Sequence, residues 1–408
     1  MPATDTITLL GAVTYTGLLV WVSITLVMTV VYCIEVLAAV FLPKRQIQCS
    51  EERAPMVVLI PAHNEEAGLA ETLKASQKGL YPFDRILVVA DNCTDNTASV
   101  ARRNGAEVIE RNDPDHRGKG FALDFGVRQL EQNPPGCVVI LDADCVPEAS
   151  ALDRIRRVAG HLGRPVQARY LMSQSEDTIA QKVSVFTFRL KNWIRLLGVC
   201  NLHGPSLLTG SGMAFPWNVL AKADLAHGHL VEDMKLGLDL ASQGTPPIFC
   251  DEAIILSPLP HSVEGATTQR SRWVRGHLSL MGVALSRLPK HLAQGRWSAA
   301  GLAASVLVPP LTILIFLQGA AVLSALILTA LLKLPLLPLG IAFGTLLAFL
   351  VATLPAWWVY GRDVIPARNL FGLVAHVVVR IVKFPTAVFR PKRAGWARTE
   401  RDADSSEN

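Results

Sequence analysis

The residues best placed to do chemistry close an apolar run, Val138-Val139-Ile140-Leu141-Asp142-Ala143-Asp144. Aliphatic, β-branched residues in such a run predict a strand buried on both faces, and the two aspartates fall where that strand leaves the sheet. A core has no use for them there. On extended backbone, carboxylates at i and i+2 point the same way, so they can share a cation or divide the holding of a cation and a polar ligand. Hard oxygen ligands of this kind favour Mg²⁺ or Mn²⁺. Alone, the pair reads equally well as turn or helix-capping aspartates, because Pro147-Glu148-Ala149 predicts a helix start just downstream.

Other polar clusters repeat the arrangement. Pro61-Ala62-His63-Asn64-Glu65-Glu66 follows a strand predicted at Val57–Ile60, and Asp91-Asn92-Cys93-Thr94-Asp95-Asn96-Thr97 follows one at Arg85–Ala90. Helices are expected from Glu65, Asn96 and Lys119, with a further strand at Ala106–Ile109. This strand–helix alternation implies an α/β domain with a mostly parallel, Rossmann-like sheet holding ligands at the carboxyl edge of its strands. Three strand ends then offer carboxylates or amides to one crevice. Arg117-Gly118-Lys119-Gly120, before a helix, suits a phosphate, although a flexible basic loop reads the same. No dinucleotide GxGxxG follows the first strand and no GxxxxGK[ST] occurs; Gly210-Ser211-Gly212 resembles the former only superficially. Glu232-Asp233 opens a short helical pattern. Adjacent acids at a helix start commonly just favour the dipole, but a transfer reaction also needs a base separate from its metal ligands. His227, His229 and His261 read as surface or interface histidines before metal ligands.

The flanks carry the excess apolarity of this chain of 408 residues, half of them hydrophobic, with mean hydropathy +0.32. Residues 1–42 predict a transmembrane segment, one long helix in preference to two tightly joined spans, with Glu35 near an interface or facing another helix. Lys44, Arg45 and Arg53 then place residues 43–260 in the cytoplasm. Residues 261–296, which contain Gln269-Arg270-Ser271-Arg272-Trp273, predict an amphipathic interfacial helix. Residues 297–361 predict a transmembrane hairpin that Pro309-Pro310 bends or breaks. Residues 362–408 predict a basic interfacial segment and a disordered tail. The net charge of +5 thickens beside the apolar segments without aromatic interleaving, which argues for membrane orientation and against nucleic-acid binding. Seven scattered cysteines without a CxxC pair fit a reducing compartment and argue against a disulfide framework or a zinc site.

In content and order these motifs resemble the membrane-embedded inverting glycosyltransferases of family 2, the group of cellulose, hyaluronan and poly-N-acetylglucosamine synthases. The resemblance covers roughly Met56 to Leu288 and includes Gln269-Arg270-Ser271-Arg272-Trp273 as a QxxRW pattern. It implies a GT-A catalytic domain flanked by transmembrane helices at the inner membrane, using a nucleotide-sugar, by expectation a UDP-sugar, with Mg²⁺ or Mn²⁺. Glu65 and Asp91 would contact the nucleoside, Lys119 the diphosphate, Asp142 the nucleotide and Asp144 the metal. Asp233 would be the catalytic base. Arg272, with Gln269 and Trp273, would line the diphosphate and acceptor entrance, and Gly210, Ser211, Gly212 and Glu232 would sit beside the acceptor. The sequence departs from cellulose synthases at Leu208-Thr209-Gly210-Ser211 and Val231 and has fewer apparent spans, which argues against a long translocating channel. The acceptor is expected to be a polysaccharide or lipid-linked glycan, with single transfer to a glycolipid or polyprenyl saccharide as the alternative. An inactive sugar-nucleotide-binding subunit is a remote alternative, and a transporter is less favoured still. Membrane lipids and export or accessory subunits are the other expected partners.

Overall fold

A computed structural model of the chain describes residues 2–174, 177–259, 263–370 and 372. His261 and most of the basic C-terminal segment and tail lie outside the described residues. The first helix, α1 (Pro2–Phe41), is one uninterrupted element. The central segment then alternates β1 (Met56–Ala62), α2 (Leu69–Gln77), β2 (Arg85–Asp91), α3 (Thr97–Arg103), β3 (Glu107–Arg111), α4 (Lys119–Leu130) and β4 (Cys137–Ile140). Strands β3-β2-β1-β4 lie side by side and parallel, as the buried aliphatic runs require.

Beyond β4 the parallel pattern ends. Next come β5 (Val146–Pro147), α5 (Ala151–Leu162), β6 (Val166–Ser173), α6 (Ile179–Arg189), a π-helical turn (Leu190–Ile194) and α7 (Arg195–Asn201). They are followed by β7 (Met213–Pro216), α8 (Trp217–Leu220), α9 (Glu232–Ser242) and β8 (Ile248–Pro258). The full order is β3-β2-β1-β4-β7-β6-β8-β5, with β7 antiparallel to both β4 and β6. Inserting β7 there brings the glycine loop before it against the end of β4.

Three local expectations change. The helix expected from Glu65 begins at Leu69, because Asn64 turns the chain at φ 55° and the segment after β1 forms a polar turn. The helix expected at Pro147 is displaced to Ala151 by the short pairing of β5 with β8. Asp142 and Asp144 lie in a turn closed by Cys145 N–H donating to the Asp142 carbonyl, 3.1 Å, and not on extended backbone. The tight turn still gathers the two carboxylates.

The remaining helices are α10 (Val263–Ala293), α11 (Trp297–Leu307), α12 (Leu311–Leu332) and α13 (Leu337–Tyr360). Pro309-Pro310 ends α11 outright, since proline lacks the donor a continuing helix needs. Leu302, Ala303 and Val306 of α11 are fully buried, so its apolarity serves packing beside α10. Helices long and apolar enough to cross a membrane are Gly11–Phe41 within α1, α12 and α13.

α1 is fastened to the domain at Glu35, 3% exposed. Its carboxylate accepts from Arg195 Nε and Ser305 Oγ, both at 2.5 Å, and the Arg195 guanidinium also donates to the Ser305 carbonyl at 3.0 Å. Backbones approach here as well. A Cβ on Gly198 would fall 1.6 Å from the Glu35 carbonyl oxygen, so no other residue allows α7 to lie this close to α1.

Candidate active site

A cleft of about 310 Å³ opens at the carboxyl ends of β1, β2 and β4, the position where open α/β sheets bind ligands. Glu65, from the turn after β1, and Asp91, the last residue of β2, stand at one side. Glu65 N–H donates to Thr97 Oγ1 at 2.8 Å, which ties this turn to the start of α3. Asp91 Oδ1 accepts from Arg111 at 2.7 Å and from Asn92 at 2.9 Å. Burial pushes the Asp91 carboxyl up, and Arg111 opposes that shift.

Asp142 and Asp144 form the floor. Their carboxylate oxygens and the Cys145 sulfur lie within 4.8 Å of one another. Burial raises the Asp142 carboxyl, with Asp144 adding repulsion and Lys119 opposing both. Lys119 Nζ sits 2.5 Å from Asp142 Oδ1 and 2.6 Å from the Gly210 carbonyl oxygen, with Glu232 Oε1 at 4.0 Å. The carboxylates of Asp142, Glu232 and Asp233 hold its ammonium charged despite burial. Two mutually repelling carboxylates with hard oxygens fit Mg²⁺ or Mn²⁺. Burial drives the Cys145 thiol well above its ordinary range, and its soft sulfur suits these hard ions less well than the two carboxylates do.

The opposite wall comes from the glycine loop, α9 and α10. Gly210 adopts φ 99°, and a Cβ there would sit 3.3 Å from Asp233 Oδ2. Ser211 and Gly212 lie behind the wall: Ser211 Oγ accepts the Asp142 N–H at 3.0 Å, and Gly212 N–H donates to Ile140 O at 3.0 Å. Glu232 and Asp233 open α9 and line the cleft. From α10 come Gln269, Arg272 and Trp273, with Arg272 Nε buried and without a hydrogen-bond partner. Trp273 stacks obliquely on Phe188 at 6.0 Å.

Burial and the neighbouring Asp233 raise Glu232 from an ordinary 4.5 to about 7, with Lys119 pulling the other way. The folded state thus holds a proton that the unfolded chain has released, so stability falls as pH rises between 4.5 and about 7. Thermal unfolding of nucleotide-free protein across that window should show this slope, and Glu232→Gln should flatten it.

Several residues in or behind the cleft escaped the sequence. Arg111 is the cross-strand partner of Asp91, a pairing set by the register of β3 on β2. Lys191 and Asn192 enter from the π-helical turn. Their only signal was a polar pair inside an otherwise apolar stretch. His227 and His229 also reach the cleft; the His229 ring accepts the Val231 N–H at 3.3 Å, and burial lowers both imidazoles.

A mixed sheet with carboxylates gathered at its parallel strand ends, faced by a helix-borne acid pair and a guanidinium, defines a GT-A nucleotide-sugar transferase. Residues 54–276 match the family described as "Glycosyltransferase like family 2", and the chain belongs to that family. The chain is 27% identical over 244 residues to a probable glycosyltransferase, YdaM, of Bacillus subtilis, covering 56% of each chain. It is 25% identical over 253 residues to a probable glucomannan 4-beta-mannosyltransferase of Arabidopsis thaliana, covering 58% of this chain and 46% of the relative. The matched region thus spans about half the length of these curated relatives. Among solved structures, a mannosyltransferase from Pyrobaculum calidifontis in complex with GDP-Man and Mn²⁺ shares the fold. Its TM-score is 0.52 at 16% identity, covering 90% of this chain and 97% of that one.

Proposed function

We propose that the chain transfers a hexose from a nucleotide-sugar to a hydroxyl of a polysaccharide or lipid-linked glycan, with inversion, at the cytoplasmic face of the inner membrane. The observation that carries this reading is the convergence of Asp91, Asp142, Asp144, Asp233 and Arg272 on one cleft. Asp91 and Glu65 hold the nucleoside, and Lys119 steadies the Asp142 carboxylate beside the diphosphate. A sugar hydroxyl is a weak nucleophile at neutral pH, so Asp233 accepts its proton as it attacks the anomeric carbon in line. Arg272, whose Nε has no protein partner, meets the negative charge growing on the departing diphosphate. Asp144, with Asp142, would hold Mg²⁺ or Mn²⁺, and the ion would supply further neutralisation of that diphosphate. The relatives' names include mannosyltransferases and the structural neighbour binds GDP-Man, so GDP-mannose stands beside the UDP-sugars as a donor to be tried.

The test is nucleotide release by the purified protein in nanodiscs across UDP-glucose, UDP-N-acetylglucosamine, UDP-galactose and GDP-mannose. One donor should be turned over with Mg²⁺ or Mn²⁺; turnover of none, with membrane lipid extract added, sinks the reading. Asp144→Asn should weaken Mn²⁺ binding by roughly tenfold or more, read from the free-ion electron paramagnetic resonance signal, because it removes one charged oxygen.

A further inference from the structure

The cleft keeps polar groups that the nucleotide-binding strand ends and the base do not use. Asn192 is 1% exposed and lines the cleft, yet its Oδ1 has no hydrogen-bond partner. Lys191 lines the same cleft, and among the described residues its ammonium has no hydrogen bond or ion pair. Thr209, before the glycine loop, likewise brings an unpartnered buried Oγ1 to the cleft. Buried polar atoms are rarely left unsatisfied, and when several gather in one cavity a polar ligand is the economical explanation.

Lys191 and Asn192 are adjacent in the π-helical turn between α6 and α7. Such turns are rare, interrupt regular helix hydrogen bonding and concentrate at functional sites. Lys191 is near enough to Asp233 to feel its charge. Tyr170, Phe188 and Trp273 also line the cleft, with ring centroids 5.2 Å apart for the first pair and 6.0 Å for the second. They add an apolar surface against which the C–H face of a sugar ring can lie.

The donor and acceptor inventory decides the chemistry. Asn192 Oδ1 needs an O–H or N–H donor, while Lys191 only donates. Neighbouring hydroxyls of one sugar satisfy both, each hydroxyl being donor and acceptor at once. A phosphate would satisfy Lys191 and leave Oδ1 without a donor.

We propose that Lys191 and Asn192 form the acceptor subsite and grip neighbouring hydroxyls of a sugar, so that the acceptor is a glycan end and not a lipid phosphate. This rests on the glycosyltransferase reading above and names its substrate class.

The test uses the full chain in nanodiscs with UDP or GDP and Mn²⁺, with mannobiose and cellobiose as sugar probes and farnesyl phosphate as the phosphate probe. Saturation-transfer NMR should show a disaccharide bound by the wild type. Lys191→Met and Asn192→Leu should each weaken it by about tenfold or more, while nucleotide affinity stays within about twofold. Lys191 is partly exposed, so its variant carries the test if Asn192→Leu fails to fold. A parallel fall in nucleotide affinity overturns the proposal by making Lys191 a diphosphate ligand. Farnesyl phosphate binding that Lys191→Met weakens overturns it too, as does disaccharide binding that is absent or unmoved. If the wild type neither binds nucleotide nor turns over any donor, the transferase reading itself falls.

Discussion

Asp233→Asn should lower sugar transfer by about 10²- to 10⁴-fold, the usual contribution of a positioned general base. The substitution is nearly isosteric and keeps the side chain packed against Gly210, where an added Cβ would come within 3.3 Å of Asp233 Oδ2. Nucleoside diphosphate affinity, measured by calorimetry with Mn²⁺, should stay close to wild type, because Asp91, Asp142 and Arg272 come from other elements. Loss of turnover with retained binding assigns the base. Loss of both would give Asp233 a structural role at the start of α9 instead. Glu232→Gln is the matched control: it removes the neighbouring carboxylate while leaving the proposed base in place.

Glu35→Ala should destabilise the protein by about 3–5 kcal/mol, the range for breaking a buried ion pair from one side. The cost arises at Arg195, 7% exposed, which would keep its charge and lose its carboxylate. Ser305 would lose an acceptor in the same step. Replacing both charged partners, Glu35→Leu with Arg195→Met, should recover much of the loss, since an apolar pair of similar size removes the unpaired charge. Thermal unfolding in nanodiscs distinguishes the cases. A single variant as stable as wild type would mean that water reaches Arg195.

The parallel half of the sheet was legible in the sequence because β1, β2 and β4 are aliphatic on both faces and each ends abruptly in polar residues. The fold class and the gathering of carboxylates at strand ends followed from that alone. Local boundaries were less legible where loops bond to one another. Glu66 accepts from the Asn96 N–H at 2.9 Å and donates its own N–H to Asp95 at 3.2 Å, so residues 65–68 serve the turn and not the helix. The helix α11 was absorbed into a predicted span because hydropathy does not separate burial in protein from burial in lipid. Glu35 and Arg195 are 160 residues apart, and no local pattern announces their pairing. Lys191 and Asn192 were missed for a different reason. A π-helical turn has no compositional signature, and only the folded chain shows that those two side chains reach the cleft.

The ladder between β4 and β7 couples two parts of the cleft. Ile140 pairs with Met213, Gly212 bonds to Ile140, and Ser211 holds the Asp142 amide, so the aspartate turn and the glycine loop are stitched together. Those two walls form one fixed jaw and part only if sheet bonds break. Residues 224–229, which bring His227 and His229 to the cleft, belong to no helix or strand. A substitution that loosens either the aspartate turn or the glycine loop should therefore disturb both together.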